Sequence, residues 1–365
     1  MNHAPSPTTR LNNIALARQQ VIEQGAELTS PLIEGWIERS WRRCLSWGHT
    51  PSQTVEFEAV SHAHIGYLQE RNRPLLQAAQ SELDRLSRAI AGTRYFALLT
   101  DAQGTVIDTR GEIDQRDPRA TSIARVGVNL SEQYVGTTAI GAVLAEQKPI
   151  WLHQGEHFFN HNTAYSCAGA PLLNPLGECV GMLDLTGVDV PERPELQHLA
   201  TQSARSIENT WIKQLAPTLL LRINWTEQLL GHDNDGLIGL NTEGQVVCAN
   251  RAARQIAGLP LHQQVHAGDV FATAWQSLFD LSPMTIVEIP MWSGLRIQVT
   301  VNDDGSIAQP TTLPTHAPSL KTIETDLIRR AMQQARGNVA EAAQRLGISR
   351  ATLYRKISPN KVSGK

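Results

Sequence analysis

The stretch CAGAPLLNPLGECVGMLDLTG, residues 167–187, contains two apolar segments separated by the tetrapeptide Asn-Pro-Leu-Gly at 174–177. Pro and Gly favour a tight turn here, because Pro fixes φ at about −65° and Gly accepts a positive φ. Two apolar segments joined by such a turn predict a β-hairpin. The chain therefore contains a sheet, and the neighbouring segments can be assigned around it.

The segments that flank this hairpin predict more strands and a set of helices. YFALLTDAQGTVIDTRG, residues 95–111, predicts a second hairpin, and residues 150–152 a further strand. Apolar residues three and four positions apart predict helices over 11–43, 61–91 and 195–211. Within the first of these we expect a capped helix start, with Ser30 as N-cap and Pro31 at the first helical position. Hairpins flanked by helices predict an α+β sensor module.

A shorter version of this pattern follows downstream. DGLIGLNTEGQVVCANRAARQIAGL, residues 235–259, predicts a strand, a turn, a second strand and a helix that begins at Asn250. Alternating residues between 284 and 308 supply further strands. Residues 309–319, QPTTLPTHAPS, have no periodicity and predict a Pro/Thr linker.

Composition and cysteine spacing limit the class of protein. Apolar residues make up 41% of the 365 residues, enough to bury a core in each of several domains. The four cysteines, Cys44, Cys167, Cys179 and Cys248, include no C-x-x-C pair, which favours a reducing compartment. The N-terminus lacks the apolar segment of a signal peptide, and no run approaches the ~18 apolar residues of a membrane span. We therefore expect a soluble, cytoplasmic protein without a membrane partner.

The last 45 residues differ from the rest of the chain in charge. Residues 321–365 contain ten Lys and Arg and three acidic residues, a net charge of +7, so the remainder is net −10 for a total of −3. A basic end on an acidic body is typical of a nucleic-acid-binding terminal domain. The alternative is a helical face that is merely solvated.

GNVAEAAQRLGISRATLYRKI, residues 337–357, has the spacing of a helix-turn-helix. Ala343, Gly347 and Leu353 provide the small residue, the turn glycine and the apolar contact between two helices. Ser349 stands at the predicted start of the second helix and suits an N-cap. That helix would enter the major groove with its N-terminal end. The residues expected at the DNA are Asn338, Ser349, Arg350, Thr352, Tyr354, Arg355 and Lys356.

These segments resemble a known family of regulators. Residues 325–357 resemble the Fis-type helix-turn-helix that closes many bacterial enhancer-binding activators, and the resemblance implies a dimer formed partly by a helix over 322–335. SWRRCLSWG, VGVNLSEQYVGTTAIGAVL, GEHF and the hairpin 167–187 are similar to the amino-terminal region and GAF domain of the acetoin-catabolism regulator group, over roughly residues 30–212. Residues 235–259 resemble the start of a PAS domain.

The resemblance implies a fold class and a domain order. We expect an α+β protein with N-terminal helices, a GAF-type sensor domain, a PAS-like α+β domain and a C-terminal all-α helix-turn-helix. The expected boundaries are 1–92 for the helical region, 93–215 for the GAF-like domain, 216–308 for the PAS-like domain, 309–319 for the linker and 320–365 for the DNA-binding domain.

The AAA+ ATPase that normally lies between sensor and DNA-binding domain in this family is missing from the sequence. G-x-x-x-x-G-K-[ST], which cradles nucleotide phosphates, does not occur, and the only Gly-Lys is Gly364-Lys365. We therefore carry over no ATP hydrolysis and expect no enzymatic activity. The chain would act by occupying DNA, by recruiting RNA polymerase, or by pairing with a full-length AAA+ regulator.

GAF and PAS domains hold small ligands between a sheet and its covering helices and loops. The resemblance therefore implies a small-molecule effector, of the alcohol, ketone or aromatic metabolite type, and no cofactor. The residues expected at the ligand are Tyr134, Thr138, Trp151, His157, Phe158, Tyr165 and Cys167. For each of them alone, a role in the core or on the surface is the plainer interpretation.

Two other chemistries concern the same region. His153, His157 and His161 are spaced four apart, but no carboxylate or cysteine stands at a suitable spacing, so we expect no metal site. Cys167 and Cys179 could support a thiol-dependent GAF-type reductase, an alternative that stays beside the two regulatory hypotheses below.

The leading hypothesis is a ligand-responsive transcription regulator that binds double-stranded DNA as a homodimer. The second is a modulator that forms mixed complexes with a full-length activator.

Overall fold

The computed structural model describes residues 7–25, 30–57, 59–226, 228–283 and 285–302, together with Val339, Ala343, Ile348 and Leu353. The chain divides into two compact units, Met1–Asp304 and Gly305–Lys365. The first unit contains helices and two antiparallel sheets, so the α+β fold class is confirmed.

The first sheet has five antiparallel strands in the order β2-β1-β5-β4-β3. Its strands are β1 Tyr95–Asp101, β2 Val106–Gly111, β3 Ile150–His153, β4 Tyr165–Leu173 and β5 Cys179–Val188. The two predicted hairpins form β1-β2 and β4-β5, and β5 pairs with β1 to join them.

The turn between β4 and β5 is held by its own asparagine. The Asn174 side-chain oxygen accepts hydrogen bonds from the backbone N–H groups of Leu176 and Glu178, both at 3.0 Å. Gly177 has a φ of 89°, a left-handed value that favours glycine. The hairpin predicted from residues 167–187 is therefore confirmed together with its turn.

Helices cover both faces of the first sheet. Those of the first unit are α1 Pro7–Arg18, α2 Gly35–Ser46, α3 His62–Arg71, α4 Arg73–Ala89, α5 Pro118–Ile123, α6 Glu132–Val135, α7 Ala139–Glu146, α8 Leu196–Gln214, α9 Arg251–Ala257 and α10 Ala267–Val270. Apolar residues of α4 and α8 pack on one sheet face. The other face is buried by α2, α5, α7 and the segment that follows β3.

The second sheet also has five antiparallel strands, in the order β8-β7-β6-β10-β9. Its strands are β6 Leu219–Trp225, β7 Gly236–Leu240, β8 Val246–Ala249, β9 Val287–Pro290 and β10 Arg296–Val301. The Asn250 side chain caps α9 by accepting a hydrogen bond from the Ala253 N–H at 2.8 Å. The predicted strand–turn–strand–helix with its start at Asn250 is thus confirmed.

Helix α8 contacts both sheets. Ala200, Ala204 and Ile207 pack on the first sheet, whereas Ile212 packs with Leu220 and other apolar residues on the second. One helix therefore contributes to both cores.

The expected helix start at Ser30 is wrong. Helix α2 begins at Gly35, with Glu34 in the extended N-cap position. The Ser30 N–H donates to the Glu38 carboxylate at 2.9 Å, and residues 31–33 form a turn and a bend before the helix. The pattern over 11–43 is therefore divided between α1, a π-helical turn at Gln19–Glu23 and α2.

Four residues are described in the second unit, and they agree with the predicted helix-turn-helix core. Ala343 and Leu353 are helical and buried, as the spacing argument requires. The Ile348 N–H donates to the Ala343 carbonyl at 3.0 Å. The seven residues predicted at the DNA, and Gly347, lie outside the described residues.

Candidate ligand-binding cavity

A small cavity lies between the first sheet and the elements that cover it on the side of α2 and α7. Its volume is about 30 Å³, enough for one or two water molecules. Apolar and polar side chains both line it. Residues that line it include Leu98, Leu130, Val135, Thr138, Ile140, His157, Asn162, Tyr165, Cys167, Asp184 and Thr186.

The strand register brings three of the polar residues to one sheet face. Cys167 of β4 lies opposite Thr186 of β5, and Asp184 lies opposite Leu98 of β1. Since side chains alternate between faces along a strand, Asp184 and Thr186 point to the same side, towards the cavity. The intervening Leu185 points to the opposite core, beneath α4 and α8.

Asp184 is a buried carboxyl with one unpaired oxygen. Its Oδ2 is hydrogen-bonded to the Thr186 hydroxyl. Its Oδ1 is buried without a hydrogen-bond partner in the described part of the chain. Burial raises the pKa of Asp184 to about 7, and the Thr186 hydroxyl opposes this shift. A buried polar atom without a partner is costly, so Oδ1 favours any ligand that can bond to it.

His157 faces the cavity as a neutral ring. Its Nδ1 is 2.9 Å from the Gln154 carbonyl oxygen, and because a carbonyl can only accept, Nδ1 carries the proton. Nε2 then has a lone pair and lies 3.9 Å from the Cys167 sulfur. Burial lowers the pKa of His157 to about 4, so the ring stays neutral at physiological pH.

Cys167 is an inert thiol in this arrangement. Burial raises its pKa well above the ordinary value, and the nearby Asp184 carboxyl adds to the shift. Cys179 lies opposite Leu173, six residues farther along β4 from Cys167. At about 3.4 Å per residue this separates the two cysteines by roughly 20 Å, too far for a disulfide.

The predicted ligand residues divide into two groups. Thr138, His157, Tyr165 and Cys167 line the cavity. Tyr134 is 64% exposed on α6, and Trp151 packs with the core on the α4 and α8 side. Phe158 is buried against Phe159 and does not line the cavity.

Sequence reasoning missed Asp184 and Thr186. The available signal was an acidic residue inside the apolar strand sequence GMLDLTG, since a charged residue in the middle of a buried strand is rare unless it has a role. For the histidines, the structure brings no group of three or more metal-ligating side chains together in the described residues. His153 is instead hydrogen-bonded through Nδ1 to the Ser166 hydroxyl.

The first sheet, the helices that cover its two faces and the cavity form one α+β module. Among the described helices, none has the length and apolar composition that crossing a membrane requires. The family model described as "MimR, N-terminal domain" matches residues 11–209. A second model, "Bacterial regulatory protein, Fis family", matches residues 319–358. The chain belongs to the MimR N-terminal domain family.

Two curated relatives illustrate this membership. The acetoin catabolism regulatory protein of Cupriavidus necator is 29% identical over 255 residues, which cover 67% of this chain and 37% of the relative. The propane 2-monooxygenase operon transcriptional activator MimR of Mycolicibacterium smegmatis is 27% identical over 212 residues, which cover 57% of this chain and 34% of the relative. The chain thus matches little more than a third of each relative's length.

Among solved structures, one chain of the E. coli DhaR(N)–DhaL complex aligns with a TM-score of 0.47 and 14% identity. The alignment covers 73% of this chain and 99% of that one.

Proposed function

We propose that this protein is a ligand-responsive transcription regulator that binds double-stranded DNA as a homodimer through its C-terminal helix-turn-helix. The observation that carries the sensor half of the proposal is the small cavity with the unpaired Oδ1 of Asp184, within the described part of the chain. The Fis-family match over residues 319–358 supports the DNA-binding half, because it spans all seven residues predicted at the DNA. Such a regulator acts in the bacterial cytoplasm.

The buried pair in the second unit supports a helix-turn-helix in particular. Ala343 and Leu353 are both under 3% exposed, which fits two short helices packed through a small residue and an apolar one. Basic residues give this unit an excess of positive charge, which attracts the phosphate backbone of DNA. Specific recognition would come from Arg355 and Thr352 in the major groove.

The cavity favours a small, uncharged effector with a hydroxyl or carbonyl group. Asp184 Oδ1 and His157 Nε2 are two hydrogen-bonding atoms in an otherwise mostly apolar enclosure. An anion would meet a carboxyl and a neutral ring, with no cation among the described residues that line the cavity. A short-chain alcohol or ketone meets these requirements, and an aromatic metabolite meets them only if the cavity widens considerably.

The effector would act by changing the cavity's shape. The cavity holds only one or two water molecules, so binding of a larger effector requires that the covering segments move away from the sheet. Effector binding then stabilises the open arrangement at the expense of the closed one. Helix α8, which contacts both sheets, would carry this change towards the second sheet, which we interpret as a PAS-like domain of residues 216–308.

DNA binding is tested by footprinting the purified full chain on genomic fragments across a salt series. The variant Thr352→Ala/Arg355→Ala should lose a sharp palindromic site that the wild-type protein protects. Lys361→Ala is the matched control, because it removes one positive charge from the same unit beyond the predicted recognition helix. Diffuse, steeply salt-dependent binding that is alike in all three proteins would refute specific recognition.

Effector binding is tested separately, by calorimetry and thermal shift with a panel of C2–C6 alcohols, ketones, hydroxyketones and the corresponding carboxylates. We expect neutral compounds to raise the melting temperature of the wild-type protein and carboxylates to have no effect. Asp184→Ala should abolish the shift. A carboxylate that binds more tightly than its alcohol would contradict the assignment of the site.

A second function is favoured by one specific observation. The chain contains no P-loop sequence, so it could form mixed complexes with a full-length AAA+ regulator and tune that protein. Co-expression with such a regulator from the same genome, followed by size-exclusion chromatography, tests this. Only self-association in that experiment would leave the homodimer as the working form.

A further inference from the structure

Arg18, the last residue of α1, donates four hydrogen bonds to one short segment of the chain. Its Nη1 donates to the backbone carbonyls of Gly155, at 3.0 Å, and His157. Its Nη2 donates to the Phe158 carbonyl at 2.9 Å and to the Asn160 side-chain oxygen at 2.8 Å. Four acceptors within six residues are thus held by one guanidinium.

Arg10 reinforces the same attachment from the other end of α1. Arg10 and Arg18 are eight residues apart, little more than two helical turns, so both long side chains can reach the same neighbouring segment. The Arg10 guanidinium lies 3.9 Å from the centroid of the Trp151 ring and forms an ion pair with the buried carboxylate of Glu156. Residues 154–160 are therefore fixed to α1 at both ends of the helix.

The fixed segment forms part of the cavity wall. It contains His157, whose ring lines the cavity, and it is followed by Asn162, which lines it too. The segment consists of 3₁₀ turns and irregular backbone, with a positive φ of 48° at Gln154. The opposite wall is the central strands of the sheet, whose ladders leave no comparable freedom. If the cavity opens, residues 154–160 are one part of the wall that can move.

The attachment is suited to release. All four acceptors that Arg18 binds are neutral, and burial lowers the pKa of its guanidinium. The guanidinium also lies 5.6 Å from the centroid of the Trp41 ring, and the charge of Glu23 opposes the effect of burial on its pKa. A desolvated cation whose hydrogen bonds go to neutral acceptors gains less than one hydrogen-bonded to a carboxylate. The π-helical turn Gln19–Glu23 directly follows Arg18. Such turns are among the usual sites of helix kinks.

We propose that α1 is a strap that closes the cavity, and that release of Arg18 from residues 155–160 controls the entry of the effector. The effector's identity as a ligand of this cavity rests on the proposed function, but the strap itself does not. Opening exposes Cys167, which lies behind His157, and this thiol reports on the strap without any effector or DNA.

The test is the rate at which iodoacetamide alkylates Cys167 in the full chain, measured by mass spectrometry. Arg18→Ala should raise this rate at least about tenfold, because a charge-assisted hydrogen-bond cluster of this kind shifts an opening equilibrium by that much or more. Cys248, buried in the second sheet, is the internal control and should keep its wild-type rate. Arg88→Ala, an exposed arginine on α4, is the matched charge control.

An unchanged Cys167 rate in Arg18→Ala would overturn the proposal, as would equal increases at Cys167 and Cys248, which report general unfolding. Asn160→Ala removes one exposed acceptor and keeps the test available if Arg18→Ala does not fold. It should accelerate Cys167 alkylation severalfold, and no acceleration would count against the strap. Failure of the alcohol and ketone panel together with a positive alkylation result would refute the effector class and leave the strap standing.

Discussion

The carboxylate of Glu208 and the guanidinium of Arg251 lie 3.3 Å apart, and both also bind the end of strand β4. Glu208 accepts a hydrogen bond from the Leu173 N–H at 2.9 Å, and Arg251 donates to the Pro171 carbonyl at 3.2 Å. One ion pair therefore connects α8, the strand that carries Cys167, and the first residue of α9. The ion pair thus connects the sheet that forms the cavity directly to α9, the helix that packs against the second sheet.

Removing the arginine of this pair should cost more stability than removing the acid. Glu208 is almost fully buried, and desolvation raises its pKa, so its charge depends on Arg251. Arg251 is 26% exposed at the side chain and can reach water when it loses its partner. We expect Arg251→Met to destabilise the fold by about 2 kcal/mol, below the full cost of an orphaned buried charge because the site is partly open.

Urea unfolding of Arg251→Met, Glu208→Gln and the double variant measures this difference. The double variant should be more stable than Arg251→Met alone, since it removes the unpaired acid. The exposed pair Arg296 and Glu288, 54% and 47% exposed at their side chains, is the control. Arg296→Met should change stability by under about 1 kcal/mol, and equal losses at both sites would contradict the buried-pair argument.

Asp184 and His157 should give opposite pH dependences of stability. The folded-state pKa of Asp184 is raised from 3.8 to about 7, so between these values the folded protein binds more protons and stability falls as pH rises. The folded-state pKa of His157 is lowered from 6.5 to about 4, so stability rises with pH over that range. Each pKa unit corresponds to about 1.4 kcal/mol. Between about pH 4 and 6.5, the contributions of Asp184 and His157 to the pH dependence of stability therefore have opposite signs.

In each single variant, the pH dependence of stability that remains should be that of the other residue. Relative to wild type, Asp184→Asn should gain stability steadily from about pH 4 to pH 7, and His157→Gln should gain it as pH falls from 6.5 to 4. Urea titrations at half-unit pH intervals measure both differences. A difference from wild type that does not vary with pH would mean that the residue concerned titrates alike in the folded and unfolded states.

The sequence was sufficient for the hairpins but only partly for the cavity. Asn174 and Gly177 predict the β4-β5 turn because their conformational preferences are local. Thr138, His157, Tyr165 and Cys167 line the cavity, and their role in binding an effector stays a prediction from the resemblance. Which aromatic side chains point inward depends on strand register and on the long-range packing of the covering helices, so Trp151 and Phe158 could not be separated from them in advance.

The missed elements have a common physical cause. The Arg18 attachment joins residues about 140 positions apart, and no periodicity encodes such a contact. Ser30 is a residue type that suits a helix N-cap, but residues 31–34 are not helical and α2 begins at Gly35. Asp184 is the exception, because its burial could have been suspected from the apolar residues on either side of it.

Gly181 should be irreplaceable in the first sheet. A Cβ atom at this position would lie 2.0 Å from the Thr100 carbonyl oxygen, and that backbone oxygen cannot move without breaking the β1-β5 ladder. We expect Gly181→Ala to lower the melting temperature markedly, with a loss of at least about 2 kcal/mol. Gly66 on α3 has open space around it, so Gly66→Ala should stabilise by up to about 1 kcal/mol. A neutral Gly181→Ala would contradict the strand register.

The contact between the predicted DNA-binding helices can be tested without touching any residue expected at the DNA. Ala343 is buried and its carbonyl accepts from the Ile348 N–H, so a larger side chain should force the helices apart. We expect Ala343→Leu to abolish specific DNA binding, and Ala343→Ser, which nearly keeps the volume, to retain most of it.

Fluorescence anisotropy on the footprinted fragment ranks the three proteins, with the thermal shift by a neutral effector as the control for the first unit. That shift should be the same in all three, because Ala343 belongs to the second compact unit. Wild-type affinity in Ala343→Leu would mean that the two helices do not meet at this residue. Loss of the effector response together with DNA binding would mean instead that the second unit supports the fold of the first, and the two halves of the proposed function would then have to be tested as one.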